Sequence, residues 1–215
     1  MVALSSKALT TLAAVKEELS ITSSTDDDYL TRLINRTSIA FASYCNRAFE
    51  TAALVEKQPG MPGMLLYVDR PPITTLTSIA YADGVIASTN YEIQDANAGT
   101  IFVIGGVQWT APQLMIAAPV QWAGRERKLW TITYTGGYAL PAAATPTLPD
   151  DLEGACILNV VQLYRQRGKD RTIKGESLLG YSVQYAGVES SSEVGDSLFS
   201  DEVCAVLKRY RRIVV

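Results

Sequence analysis

The period of the apolar residues changes twice along this chain. Up to about Ala48 it is helical. Leu12, Val15 and Leu19 form one stripe behind Thr10 and Thr11, either of which suits the N-cap of a short helix ending at Leu19. A polar turn follows, Thr22-Ser23-Ser24-Thr25. Asp26-Asp27-Asp28 then opens a longer helix, with Thr25 expected as its N-cap and the aspartates where the helix dipole favours negative charge. Its stripe runs through Leu30, Leu33, Ile34, Thr37, Phe41, Tyr44, Cys45 and Ala48, the i, i+3, i+4, i+7 spacing of a core-facing helix.

Between 51 and 138 the pattern shortens to segments rich in Val, Ile, Thr and Tyr, separated by turn residues. Strands are predicted at Ala52–Lys57, Met64–Val68, Leu76–Tyr81, Tyr91–Gln94, Thr100–Val103 and Leu129–Tyr134. Asp83-Gly84 reads as a tight hairpin, and Asp95 to Gly99 as a second turn. Pro71-Pro72 cannot donate to a ladder, so it belongs between strands or on an edge. Helical spacing then returns. After a Pro/Ala/Thr linker from Pro141 to Pro149, Asp150 is expected to cap a helix carrying Leu152, Ala155, Cys156, Val160, Leu163 and Tyr164 on one stripe. Residues 168–199 are polar and read as loop, with a short strand at Tyr181–Tyr185. Ser200 or Asp201 starts a last helix with Val203, Val206, Leu207 and Tyr210 inward.

Helices, strands, helices is an α+β order. Amphipathic helices of this length need a partner to bury their stripes. The simplest packing is a small helical bundle built from residues 1–50 and 139–215, with an antiparallel β-sandwich or barrel-like domain, 51–138, inserted between its halves.

Composition narrows the function. The 215 residues are 47% hydrophobic and 19% charged, which fits a chain with a real core and leaves room for surface covered by other subunits. There is no histidine, so Ser-His-Asp and Cys-His triads and His-ligated zinc, haem or iron sites are excluded. Cys45, Cys156 and Cys204 are widely spaced and form no CxxC pair, which fits a reducing compartment. With a net charge of −3 no global basic field attracts nucleic acid. The longest apolar stretch, Leu114–Ala123, is broken by Pro119 and Gln121 and falls short of the ~20 residues that span a bilayer. Lys7 interrupts the mildly apolar N-terminus, which reads as structure and not as a signal peptide. No membrane association is expected.

Few residue patterns in the chain point to chemistry. Asp26, Asp27 and Asp28 could suggest a divalent cation, but successive helix positions point about 100° apart and cannot converge on one ion. Asp150-Asp151 reads the same way. Gly105-Gly106 and Gly136-Gly137 start no GxGxxG pattern, and Gly168-Lys169 and Lys174-Gly175 precede no helix signal, so no phosphate cradle is expected. Tyr67, Tyr81, Tyr91, Trp109, Trp122, Trp130 and Tyr134 fit sheet core and edge, with a stacking or glycan platform as the alternative. No catalytic residue, metal ligand or cofactor site is assigned. The basic C-terminus is more informative. Lys208, Arg209, Arg211 and Arg212 put four cations in five residues, before the apolar Ile213-Val214-Val215. They complement a helix C-terminus, or they form a docking tail with Tyr210 and Ile213 as anchors.

Four stretches, in order, resemble the long form of the bacteriophage head–tail connector (adaptor, or head-completion) family of tailed phages, prophages and gene transfer agents. They are Leu9 to Leu19 with Asp26-Asp27-Asp28-Tyr29-Leu30 and Tyr44-Cys45-Asn46-Arg47; Arg70-Pro71-Pro72-Ile73 to Ile79 with Asp83-Gly84 and Tyr91; Ile132 to Tyr138 with Leu148-Pro149-Asp150-Asp151-Leu152 and Tyr164-Arg165-Gln166-Arg167; and Leu207-Lys208-Arg209-Tyr210-Arg211. The resemblance implies a helical bundle carrying a β domain and a structural, non-enzymatic role. Such proteins form a ring, typically of twelve copies, beneath the portal, extend the DNA channel and present a docking surface to the stopper or tail. It implies a location in the virion neck after synthesis in the host cytoplasm. Genomic DNA would pass through without sequence-specific binding. It also implies that residues 200–215, with Lys208, Arg209, Tyr210, Arg211, Arg212 and Ile213 foremost, reach the portal, and that the 168–199 loop lies between subunits or lines the channel. Two other functions remain to be weighed: a carbohydrate- or cell-surface-binding module using the β domain, and a hydrolase using two carboxylates.

Overall fold

A computed structural model describes residues 2–58, 65–81, 84–104, 130–167, 175–178, 181–184 and 199–212. The fold is α+β, with helices at both ends of the chain and antiparallel sheets between them. Its contacts divide it into two compact units, Met1–Arg47 with Ala139–Val215, and Ala48–Tyr138.

Among the described residues the first unit holds four helices, α1 (Leu12–Leu19), α2 (Asp27–Tyr44), α3 (Asp150–Arg165) and α4 (Asp201–Tyr210). Thr11 caps α1 by accepting a hydrogen bond from the Ala14 amide. Ser20 and Asn46, both at positive φ, close α1 and α2 through Ile21 N–H to Lys16 O and Arg47 N–H to Ala42 O. The stripe of α2 is buried at Leu30, Leu33, Ile34, Thr37 and Phe41, and that of α3 at Leu152, Ala155, Cys156 and Val160. α2 and α3 run antiparallel: Asp26 at the start of α2 meets Tyr164 and Arg167 at the end of α3, and Thr37 meets Asn159 midway.

Two caps differ from the sequence expectation. The residue preceding α2 is Asp26, not Thr25, and it makes no capping hydrogen bond because its carboxylate is turned to α3. Asp150 is the first residue of α3, with Pro149 before it. Residues 2–9 form a strap along α2, with a turn at Ser6-Lys7 closed by Ala8 N–H to Ser5 O. Val2 N–H donates to Asp28 Oδ1 (2.7 Å), Ser5 N–H to Asn35 Oδ1 (2.9 Å) and Leu9 N–H to Ser38 Oγ (3.0 Å), while Asn35 Nδ2 donates back to Ala3 O.

The second unit is a sandwich. Strands β1 (Ala52–Gln58), β3 (Ile73–Tyr81), β4 (Gly84–Val85) and β7 (Trp130–Gly136) form a four-stranded sheet in the order β1-β7-β3-β4. Strands β2 (Leu65–Tyr67), β5 (Tyr91–Asp95) and β6 (Thr100–Val103) form a three-stranded sheet in the order β2-β6-β5. The two share one core: Ile73, Ile79, Trp130, Ile132 and Tyr134 from the first meet Leu66, Tyr91, Ile101 and Val103 from the second. β7 alternates buried and half-buried residues throughout, as a central strand with one core face should. Tyr81 pairs with Gly84, so Gly84 is a strand residue, while Asp83 lies outside the described residues. Within the core the Tyr134 hydroxyl donates to the Glu56 carboxylate and accepts from Arg70 N–H. Glu56 also accepts from Asp69 N–H (3.0 Å), so one buried phenol and one carboxylate hold the turn before the cis Pro71-Pro72 bond. Burial, with the Glu56 contact adding to it, pushes the Tyr134 hydroxyl well above the usual phenol range.

In the 168–199 region a hairpin is formed by β8 (Gly175–Leu178) and β9 (Tyr181–Gln184), where only the second strand is anticipated by the sequence.

Candidate interaction surface at the C-terminal helix

α4 is held by its apolar face. Val203, Cys204 and Leu207 are buried, and Phe199 just before the helix sets its ring edge-on to Phe41 (5.2 Å) and Tyr44 (5.7 Å) of α2. Cys45 Sγ–H donates to Leu207 O (3.6 Å). With Val203 and Leu207 one turn apart on the buried face, the flanking Asp201, Glu202, Lys208 and Arg209 are left outward.

The basic run is therefore seated on the bundle. Tyr210 Oη donates to Asp151 Oδ1 at 2.5 Å, and Arg209 Nη1 lies 3.7 Å from Asp151 Oδ2. The Arg211 guanidinium sits over the Tyr44 ring, 5.5 Å from its centroid. Arg212 N–H donates to Cys45 O at 2.9 Å. Lys208, Arg209, Arg211 and Arg212 are exposed, and Tyr210 is half-buried. Ile213 lies outside the described residues. Three chain segments meet here: the first turn of α3, the end of α2 and the end of α4. Arg47 belongs to the same neighbourhood. Burial raises the Cys45 thiol to about 11, and the nearby Arg47 and Arg211 charges pull the other way. Arg47 stands outside the helical stripe and far from the basic run in sequence, so only the fold reveals it.

The other candidates resolve separately. The three aspartates point to three different elements. Asp26 accepts from Tyr164 Oη (2.8 Å) and Arg167 Nη1 (2.7 Å), Asp27 takes Lys16 Nζ of α1 (2.7 Å), and Asp28 takes Val2 N–H. Asp26 is held below the usual carboxylate range, first by the Tyr164 hydrogen bond and then by Arg167. Arg167 also lies 4.5 Å above the Tyr29 ring. Among the described residues, no group of three or more Cys, Asp or Glu side chains could hold a metal ion. Asp151 is committed to α4, while Asp150 has no described contact with it. Trp130, Tyr134 and Tyr91 are core residues of the sandwich, and Tyr67 is half-exposed on β2. Trp109, Trp122 and the Tyr81 side chain lie outside the described residues, as do Gly105-Gly106, Gly168-Lys169 and Lys174. Gly136 ends β7 and Gly137 follows it, and a Cβ on either would run into backbone, that of Arg70 and Glu50 respectively. Among the described residues no helix is long and apolar enough to cross a membrane.

Comparison with known proteins adds the wider setting. A chain from the neck of an empty gene transfer agent particle is similar in fold, with a TM-score of 0.54 at 16% identity, over 100% of this chain and 95% of that one. A second, from the virion of a native gene transfer agent particle, gives a TM-score of 0.51 at 15% identity over the same shares. No curated protein sequence is significantly similar to the chain. The sequence profile of the head completion proteins matches residues 8–213, from the strap through the helices and the inserted sandwich to the end of the basic run. The protein belongs to the head completion protein family.

Proposed function

We propose that this protein is a ring-forming head–tail connector in the neck of a virion. Twelve copies sit beneath the portal, extend the DNA channel and offer the stopper or tail a docking surface. The observation that carries this reading is the family match over residues 8–213. The particle neck and virion from which the similar folds come supply a matching setting. In this role the protein is structural and has no reaction to catalyse. The exposed cations of α4 dock on the portal, and the near-neutral total charge of −3 lets DNA slide past without strong phosphate contacts. Assembly takes place in the host cytoplasm, before the particle leaves the cell.

The test is negative-stain microscopy of the purified protein alone and with its cognate portal, together with mass spectrometry of virions. A portal-capping ring and presence in virions are expected. A protein that stays monomeric with portal and is missing from virions would refute the proposal.

A further inference from the structure

We infer that Asp151, on the first turn of α3, is the positioning residue of the basic C-terminal segment. It sets Arg209 and Tyr210 so that the cationic side chains of Arg209, Arg211 and Arg212 are presented together from one fixed segment, towards an acidic protein surface. The inference rests on the portal-docking reading above and adds the element that prepares that surface. Successive residues of the segment are tied to different elements. Arg209 and Tyr210 go to Asp151, Arg211 to the Tyr44 ring and Arg212 to the Cys45 carbonyl. A basic run on a frayed helix end would have to be ordered when its partner binds, at a cost for every long side chain immobilised. Here much of that ordering is done within the free chain. The bond at the centre joins a phenol to a carboxylate at 2.5 Å, the short, charge-assisted kind. The Arg209 contact is longer and its side chain 72% exposed, so it adds direction more than strength.

Positioning and simple electrostatics predict opposite signs for one substitution. Asp151→Asn removes a negative charge beside a cationic surface. If Asp151 acted only through its charge, this variant would bind an acidic partner more tightly. If Asp151 positions the segment, binding weakens by about 2- to 10-fold, the cost of ordering one or two further side chains. Asp151→Asn keeps an acceptor oxygen but loses the charge that makes the Tyr210 bond strong and draws Arg209 in, whereas Tyr210→Phe removes the bond outright with no change of charge, and it weakens binding by a similar factor. Asp151→Glu restores part of the loss.

The experiment is titration of the full-length chain and its variants against the cognate portal ring at several salt concentrations, with hydrogen exchange read on residues 209–212. The expected result is weaker binding by both variants, an unchanged salt slope for Tyr210→Phe and faster exchange in the segment. Unchanged or tighter binding by Asp151→Asn and Tyr210→Phe would overturn the inference. Arg211→Ala with Arg212→Ala tests the underlying reading separately. If that pair leaves affinity and salt slope untouched, portal docking by this segment is wrong. If it lowers both while the Asp151 and Tyr210 variants do nothing, the reading stands and the positioning role fails.

Discussion

Asp26, Asp27 and Asp28 are adjacent in sequence, yet each fixes a different part of the bundle: the end of α3, the α1 helix and the N-terminal strap. Their divergence follows from the 100° step of the helix. Asp26 makes this measurable. Its carboxylate is favoured in the folded state, so it contributes stability above its unfolded pKa of about 3.9 and loses that contribution as pH falls through the lower folded value. Asp26→Asn should melt below the parent protein at pH 7, with a constant gap down to about pH 5, since carboxylates titrate below that. The gap should shrink below about pH 4 and close once the parent's Asp26 is protonated, as thermal melts across pH would reveal. An equal gap at pH 2 would assign the effect to something other than charge. Gly137 is a second residue with a sharp requirement. It sits at φ +101°, and an added Cβ would lie 2.4 Å from Glu50 O and 2.8 Å from Glu50 C, which are backbone atoms. Gly137→Ala should cost about 1–3 kcal/mol in urea unfolding. Gly154→Ala, on the exposed side of α3 with nothing within 4 Å, should instead stabilise by about 0.5–1 kcal/mol.

The antiparallel match of α2 and α3 is carried by apolar stripes and by buried polar contacts, among them Asn159 Nδ2 donating to Thr37 Oγ1 at 3.3 Å. Both residues are at most 4% exposed, so neither has water to fall back on. Asn159→Leu leaves the Thr37 hydroxyl unpaired in the core and should cost about 1–3 kcal/mol, while adding Thr37→Val should recover most of it. Chemical denaturation of both singles and the double measures the coupling, and a double variant as unstable as the single would deny it. The stripes themselves were legible: Leu30, Ile34 and Phe41, or Leu152, Cys156 and Val160, need only the helical period. The six strands expected between 52 and 134 were legible too, with ends moved by a few residues. Caps were less so. Thr25 and Asp150 are good capping types, but Asp26 is drawn to α3 and Pro149 already fits the residue before a helix. The strap at 2–9 has no period to read, because side-chain acceptors on α2 hold its backbone. The basic run at 208–212 was visible as composition. Its seat was not, since Asp151, Tyr44 and Cys45 come from other elements and meet it only in the fold.

At the scale of the molecule the question is what an inserted sandwich requires of its surroundings. The chain enters and leaves it side by side: Tyr138 N–H donates to Phe49 O (2.7 Å) and Thr51 N–H to Tyr138 O (3.0 Å), with Gly137 making room against Glu50. Among the described residues its core draws on the strands of both sheets and on Val68 beside them. Each large apolar side chain buried there contributes about 1.5–3 kcal/mol, and a unit of this length is above the size at which single cores suffice. Residues 48–138 expressed alone should therefore fold, with dispersed amide NMR signals and one cooperative unfolding transition. Residues 1–47 joined to 139–215 by a short glycine linker should keep their helix content, because the ends to be joined are already neighbours. A collapsed spectrum from the sandwich fragment would mean that it depends on the helical unit and that the two fold as one. If both fragments fold, portal binding can be assigned between them. The basic segment lies wholly in the helical unit, so under the portal-docking proposal that fragment should bind portal in a salt-dependent way and the sandwich fragment should not.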